Sequence, residues 1–192
     1  QKNFNIDVVD VRGRWAEFNS PRDIAHFILG TKAETLSRLA PLVTTCFIGE
    51  QVSFSILKWQ KNKKEITRKI NEVFSGQPLI VRSSAKGEDN WESSNAGNHD
   101  SVLNVDGGSS DAIEKAVESV IASYGGLRRK NGDQVLVQKL ISDVQYSGVV
   151  FTCSLETGAP YYRINFDDKS GSTDSITSGV CGDFRTILIA RG

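Results

Sequence analysis

Apolar residues recur along the chain at two different spacings, which predict strands and helices respectively. Val52, Phe54 and Ile56 alternate with polar residues, as in a half-buried strand. From Leu57 to about Phe74 the spacing changes to three or four residues, which is typical of one face of a helix. The inner face of this predicted helix consists of Ile66, Ile70, Val73 and Phe74.

A second helix is predicted after the glycine-containing turn at residues 106–110. Asp111 and Glu114 stand in its first turn, where carboxylates interact favourably with the helix dipole. Its buried side is predicted from residues at helical spacing, namely Ile113, Val117, Val120, Ile121 and Tyr124. Gly125 and Gly126 are expected to end it.

The C-terminal part of the chain is dominated by predicted strands. Residues 133–141 form a largely apolar run that predicts a central strand, with Gln138 at a position expected to be buried. A buried amide needs hydrogen-bond partners, which either a neighbouring strand or a ligand would provide. Further strands are predicted at 147–152, 161–166, 175–180 and 184–189.

The N-terminal segment predicts a strand at residues 2–12 and a short helix from Pro21 that ends at Gly30. Thr31 and Glu34 have the spacing of a capping box, so another helix is predicted to begin at Lys32 and to end before Pro41.

These elements together predict a mixed α+β fold. A charged loop at residues 128–133 marks a predicted boundary between two lobes. We therefore expect an N-terminal extension at 1–29, an N-terminal lobe at 30–130 and the start of a β-rich C-terminal lobe at 131–192.

Charge and cysteine content exclude several classes of protein. The chain has 192 residues with 23 basic and 23 acidic side chains, so its overall charge predicts no binding to nucleic acid or to an anionic membrane. Three widely spaced cysteines predict reduced, packed thiols, and no apolar run has the length of a membrane span. We expect a cytoplasmic protein. Because the chain starts at Gln1 and contains no methionine, we also expect a fragment of a longer protein.

Arg82 is the first candidate for binding chemistry. It lies near the end of a short apolar run after Pro78, which predicts a buried strand that continues into Ser83 and Ser84. A guanidinium group in such a place needs an anion. That anion is either a carboxylate in the 88–89 turn or a phosphate group bound by the glycine-containing loop that follows.

Lys32 is the second candidate. It occupies the first position of a predicted helix, where the helix dipole disfavours a positive charge by a few tenths of a kcal/mol. The lysine is either simply solvated, or it shares a bound anion with the helix N-terminus.

Several short motifs occur in a fixed order along the chain. They are Gly30-Thr31-Lys32-Ala33, Val81-Arg82-Ser83-Ser84-Ala85, Glu88-Asp89, Ser94-Asn95-Ala96-Gly97, Leu103-Asn104-Val105, Val135-Leu136-Val137-Gln138 and Ser147-Gly148-Val149-Val150-Phe151-Thr152. In this order they resemble the ATP-grasp nucleotide-binding domain of phosphoenolpyruvate synthase and pyruvate phosphate dikinase. The first motif matches only in part, because Thr31 and Ala33 replace two glycines of that family's Gly-Gly-Lys-Gly.

The resemblance implies an ATP-grasp-like fold in which two lobes hold ATP and Mg²⁺, here incomplete at the C-terminus. By this analogy Lys32 and Arg82 neutralise the triphosphate, and the segment containing Ser83, Ser84, Ser94 and Gly97 covers it. The base would lie against the strand end formed by Gln138, Lys139, Leu140 and Ile141. The ligands of the metal are expected beyond Gly192, and no catalytic residue is assigned.

The resemblance further implies a phosphotransferase that moves a phosphoryl group from ATP to a histidine in a separate domain. The final acceptor stays open among pyruvate, a glucan and an antibiotic. His26 and His99 are not expected to be the phosphorylated residue. The alternatives are a non-catalytic nucleotide-binding or interaction module that kept the fold and lost the metal site, and an unrelated ATP-dependent ligase.

Overall fold

A computed structural model describes residues 30–85, 89–90, 93–94, 101–124, 132–154, 157–169 and 184–191. At 89–90 and 93–94 it describes the backbone alone. The elements predicted at 2–12, 21–30 and 175–180 lie outside this part of the chain, apart from Gly30 itself.

Within the described residues the chain forms three helices and nine strands. The helices are α1 (Lys32–Leu39), α2 (Ile56–Phe74) and α3 (Ser110–Ser123). The strands are β1 (Gln51–Ser55), β2 (Pro78–Ser84), β3 (Asp89–Asn90), β4 (Ser93–Ser94), β5 (Ser101–Asp106), β6 (Gln134–Lys139), β7 (Ser147–Phe151), β8 (Tyr161–Asp167) and β9 (Arg185–Ala190). This mixture of elements confirms the predicted α+β class.

The strands form two main antiparallel sheets. One has four strands in the order β1-β6-β2-β5, and the other has three in the order β7-β8-β9, while β3 pairs only with β4. β6 is therefore central, as predicted, but it belongs to the first sheet. The predicted start of the second lobe at residue 131 precedes β6. The chain passes from the first sheet to the second only after β6, so the change of sheet comes one strand later than the predicted boundary.

One face of the four-stranded sheet carries the main hydrophobic core. Alternating residues of the strands point to this face, including Val52, Phe54, Leu79, Val81, Val135 and Val137. Helices α2 and α3 cover it with the apolar stripes that the sequence predicts. Trp59, which the helical spacing did not select, is also fully buried there and stacks on Phe54 at 5.3 Å between ring centroids.

A polar cluster joins α2 to α3 at the edge of this core. The indole Nε1 of Trp59 donates to Oε1 of Glu118 at 2.8 Å. Lys63 lies 3.0 Å from Glu114 and 3.4 Å from Glu118, and its ammonium group is 5.6 Å from the centre of the Trp59 ring. Trp59 and Lys63 of α2 therefore link the two core helices through Glu114 and Glu118 of α3.

Two smaller observations complete the fold. Cys46 and Cys153 are free thiols, as predicted, but Cys46 is exposed instead of packed, because it lies in the irregular segment between α1 and β1. Among the described helices, none combines the length and the hydrophobicity that crossing a bilayer requires.

Candidate nucleotide-binding site

The face of the four-stranded sheet opposite the core, here called the polar face, carries Arg82, Ser84, Gln134 and Gln138 together with the apolar Ile80 and Leu136. Successive strand residues point to opposite faces. Val81 and Ser83 point to the core side, so Arg82 and Ser84 share the opposite face. In the register of the sheet Arg82 lies opposite Leu136, and Ser84 lies opposite Gln134. Gln138 has the same parity and lies two residues beyond Leu136 on β6. The structure thus brings Arg82, Ser84 and Gln138 onto one surface.

Helix α1 lies on this polar face. The backbone amide of Ala33 donates to the Ser84 hydroxyl at 3.0 Å, in a buried contact. The side chain of Gln51, on β1, donates to the carbonyl of Ala33 and to the hydroxyl of Ser37, each at 2.7 Å. Because Lys32 precedes Ala33 directly and Arg82 precedes Ser84 by two residues, both predicted cations lie on segments that this contact joins.

The N-terminus of α1 is built as the sequence predicts. Thr31 is the N-cap, its hydroxyl accepts from the amide of Glu34 at 3.3 Å, and the Glu34 carboxylate accepts from the amide of Thr31 at 3.0 Å. The capping box at 31–34 and the start of the helix at Lys32 are therefore confirmed.

Gln134 connects this capping box to the sheet. The Thr31 hydroxyl donates to Oε1 of Gln134 at 3.1 Å, and Nε2 of Gln134 donates to Oε1 of Glu34 at 3.2 Å. The Tyr124 hydroxyl accepts from the amide of Ser84 at 2.8 Å and donates to the carbonyl of Gln134. The end of β2, the start of β6 and the start of α1 consequently form one hydrogen-bonded unit.

The sequence did not single out Gln134 or Tyr124 as parts of a site. A signal for Gln134 was present, since it stands four residues before Gln138 in the same strand and therefore on the same face. Tyr124 carried no such signal. Its ring completes the apolar stripe of α3, and only its hydroxyl reaches the site.

Arg82 is half-buried, and among the described residues it forms no ion pair. The side chains at 88 and 89, which were the alternative partners, lie outside the described part of the chain. Lys32 is also half-buried.

The two serines after Arg82 have different surroundings. Ser83 is only 3% exposed and faces the core side of the sheet, away from Arg82. Ser84 is fully buried, and its hydroxyl is the acceptor for α1. The backbone of Ser94 lies in the two-residue strand β4, its side chain is not described, and Gly97 lies outside the described residues.

The four residues predicted to line the base pocket do not share one direction. Gln138 is half-buried on the polar face, whereas the exposed Lys139 points to the other face at the end of β6. Leu140 leaves the sheet, with its amide donating to the carbonyl of Pro78 at 2.8 Å, and Ile141 is 76% exposed.

The donors on this face suit an anion better than a metal. Arg82 lies on this face, Lys32 and Arg38 belong to the helix α1 that packs against it, and the Glu34 carboxylate is held by Thr31 and Gln134. No group of three or more His, Cys, Asp or Glu side chains within the described part of the chain is arranged to hold a metal ion.

The comparison with known families agrees with this chemistry. A family model described as pyruvate phosphate dikinase, AMP/ATP-binding domain, matches residues 30–170. The matched range contains α1, the whole four-stranded sheet, and β7 and β8. No curated protein matches the chain.

Proposed function

Because the chain belongs to the pyruvate phosphate dikinase family through an AMP/ATP-binding domain, we propose that it is the ATP-binding part of a phosphotransferase that acts on a histidine in a separate domain. The observation that supports this most directly is the buried contact between Ala33 and Ser84. This contact joins the segments that carry Lys32 and Arg82, and both segments lie within the range that the family model matches.

Arg82 and Lys32 would act by electrostatic stabilisation. A triphosphate carries several negative charges, and a guanidinium group binds its oxygens in a bidentate manner. Lys32 would contribute a point charge at the N-terminus of α1, where the helix dipole also favours an anion. Both groups would orient the phosphates for transfer, and the half-buried Gln138 would contact the base from the same face.

Magnesium would offset charge between the phosphates in such a transfer. The described residues of the site do not fit a divalent cation, so its carboxylate ligands would have to come from outside them. The phosphorylated histidine and the final acceptor would likewise belong to other parts of the protein.

The proposal is tested by isothermal titration calorimetry with ATP. We expect R82A and K32A each to weaken binding by at least about tenfold, as loss of a charged hydrogen-bond partner does. R68A and K64A are charge-matched controls, since both residues are exposed on α2. Equal affinities for R82A, K32A and the unmodified chain would refute the assigned site.

Transfer itself is tested by incubating the chain with labelled ATP and a histidine-bearing domain of a family member. Acid-labile label on that domain supports the phosphotransferase. ATP binding without any transfer would favour a non-catalytic nucleotide-binding module.

A further inference from the structure

Gln51 is held on the polar face through the nitrogen of its side-chain amide. The Nε2 atom donates to the carbonyl of Ala33 and to the Ser37 hydroxyl, each at 2.7 Å. An amide nitrogen has two hydrogens, and both are therefore used by α1. The orientation of this amide is fixed, because exchanging its oxygen and nitrogen would place an acceptor against the Ala33 carbonyl.

The Oε1 atom of the same amide is buried, and no donor among the described residues reaches it. A buried acceptor without a donor is uncommon in folded proteins, so it marks a place where a donor is expected. In the sheet that the described residues form, β1 is an edge strand and β6 is its neighbour. A donor from this sheet therefore has to come from β6.

Gln138 is the residue of β6 directly opposite Gln51. Such residues of antiparallel strands lie on the same face with Cβ atoms about 4.5–5.5 Å apart, so the two amides are within reach of each other. Gln138 is half-buried, and its side chain forms no hydrogen bond within the described part of the chain. A rotation about its side-chain bonds would bring its Nε2 atom to the unpartnered oxygen of Gln51.

Ile80 lies on the other side of Gln138 in the same row of the sheet. It is directly opposite Gln138 on β2, and the next residue of β2 on this face is Arg82. Alternate residues of a strand are about 7 Å apart. A base lying on the half-buried Ile80 would therefore have the Gln138 amide at its edge and the phosphate-binding cation one step along the strand.

We infer that Gln51 is a positioning residue that fixes the Gln138 amide, which then recognises the 6-amino group of adenine and disfavours guanine. With one Nε2 hydrogen of Gln138 donated to Gln51, its Oε1 atom accepts from the amino group and its second Nε2 hydrogen donates to a ring nitrogen. Guanine carries an oxygen at the 6-position, and that oxygen would meet the Gln138 oxygen. This inference rests on the proposed ATP site and adds the choice of base.

The test is the ratio of the affinities for ATP and GTP, measured by calorimetry. We expect the unmodified chain to bind ATP at least about tenfold more tightly than GTP. In Gln51→Lys the ammonium group can still donate to Ala33 and Ser37, but it offers no acceptor to Gln138. We expect Q51K to lower the ratio to less than about threefold. Both nucleotides carry the same charge, so the added positive charge cancels in the ratio.

Three further variants separate this role from a structural one. Gln60→Lys adds the same charge at an exposed position of α2, on the core side of the sheet, and is expected to keep the ratio of the unmodified chain. Gln138→Leu removes the amide that reads the base, so its ratio is expected to be near one. The double variant Q51K/Q138L should have the same ratio as Q138L, because Gln51 acts through Gln138.

Equal affinities of the unmodified chain for ATP and GTP would overturn the inference, and so would an unchanged ratio in Q51K. An unchanged ratio in Q138L would overturn it too, whether or not Q51K folds. A different ratio in Q138L and in the double variant would show that Gln51 does not act through Gln138.

The same series distinguishes this inference from the proposed function. If R82A and K32A weaken the binding of both nucleotides while Q51K leaves the ratio unchanged, the proposed site stands and the role of Gln51 falls. If the unmodified chain binds neither nucleotide, the proposed ATP site fails, and the inference fails with it.

Discussion

The hydroxyl of Ser84 accepts a hydrogen bond from the backbone amide of Ala33 at 3.0 Å, and this contact spans 51 positions of the chain. It fixes the N-terminus of α1 against the end of β2. The segments that carry Lys32 and Arg82, which the sequence selected on separate grounds, are joined by this contact.

The first prediction concerns the energy of this contact. S84A would leave the buried amide of Ala33 without its acceptor, which typically costs about 1–3 kcal/mol. We expect this loss in the free energy of unfolding measured by urea denaturation. S53A is the control, since Ser53 is exposed on the same sheet and should change stability by less than about 0.5 kcal/mol. A stability of S84A equal to that of S53A would show that the contact contributes little.

The second prediction separates a binding role of Arg82 from a structural one. Arg82 is half-buried and forms no ion pair within the described ranges, and R82M removes its charge while it keeps most of the side-chain volume. We expect stability within about 0.5 kcal/mol of the unmodified chain, or higher, together with a loss of ATP affinity. A destabilisation greater than about 1 kcal/mol with unchanged ATP affinity would identify Arg82 as structural.

The third prediction concerns pH. The hydrogen bond to Glu114 raises the pKa of Lys63 above its ordinary value of 10.5, and the charges of Glu114 and Glu118 act in the same direction. Because the folded-state pKa is raised, the stabilisation is complete below about pH 10.5 and is lost as the pH rises through the folded value. The difference in unfolding free energy between the unmodified chain and K63Q should therefore be equal at neutral and mildly alkaline pH.

That difference should shrink only in strongly alkaline buffer. K64Q, at the exposed neighbouring position on the same helix, controls for the general effect of removing a lysine. A difference that already falls between pH 7 and pH 9 would contradict this assignment of the pKa shift.

The fourth prediction concerns Gly148 in β7. A glycine inside a strand often marks the close approach of a ligand or of another backbone segment, and here it is the backbone of β8. A Cβ atom there would overlap the carbonyl oxygen of Asn165, and it would lie 3.0 Å from Cβ of Phe166. G148A should therefore separate β7 from β8 and lower the unfolding free energy by about 1–3 kcal/mol.

Gly49 provides the comparison for this substitution. A Cβ atom at Gly49 would meet only the ring of Phe47, at an ordinary distance of 3.8 Å. G49A should leave the urea midpoint nearly unchanged, and an equal loss in both variants would exclude crowding as the cause.

Local patterns predicted much of the fold. The capping box set the start of α1, and the apolar stripes of α2 and α3 selected side chains that are buried in the core. The break inside α2 was not predicted. Asn62 has non-helical angles (φ −132°, ψ 36°), and its side chain donates to Glu65, but an asparagine within an otherwise continuous stripe does not by itself mark a break.

The candidate site was predicted less completely, because strand pairing depends on contacts between distant parts of the chain. Nothing local to Ser84 indicates that Gln134 is its partner on the neighbouring strand β6. The prediction also placed both Gln138 and Lys139 along the base pocket, although adjacent strand residues point to opposite faces of a sheet. The motif order agrees with the family match over residues 30–170, while the face on which each side chain lies could be read only from the register.

Strand β9 affects how any of these measurements should be carried out. All six of its residues are exposed, and Ile187, Leu188 and Ile189 are between 45% and 65% accessible at the end of the three-stranded sheet formed by the described residues. Such an edge offers unpaired backbone groups and aliphatic surface to another copy of the chain. Self-association would add its own heat to a titration, so affinities should be compared only after light scattering has shown a constant particle mass over the protein concentrations used.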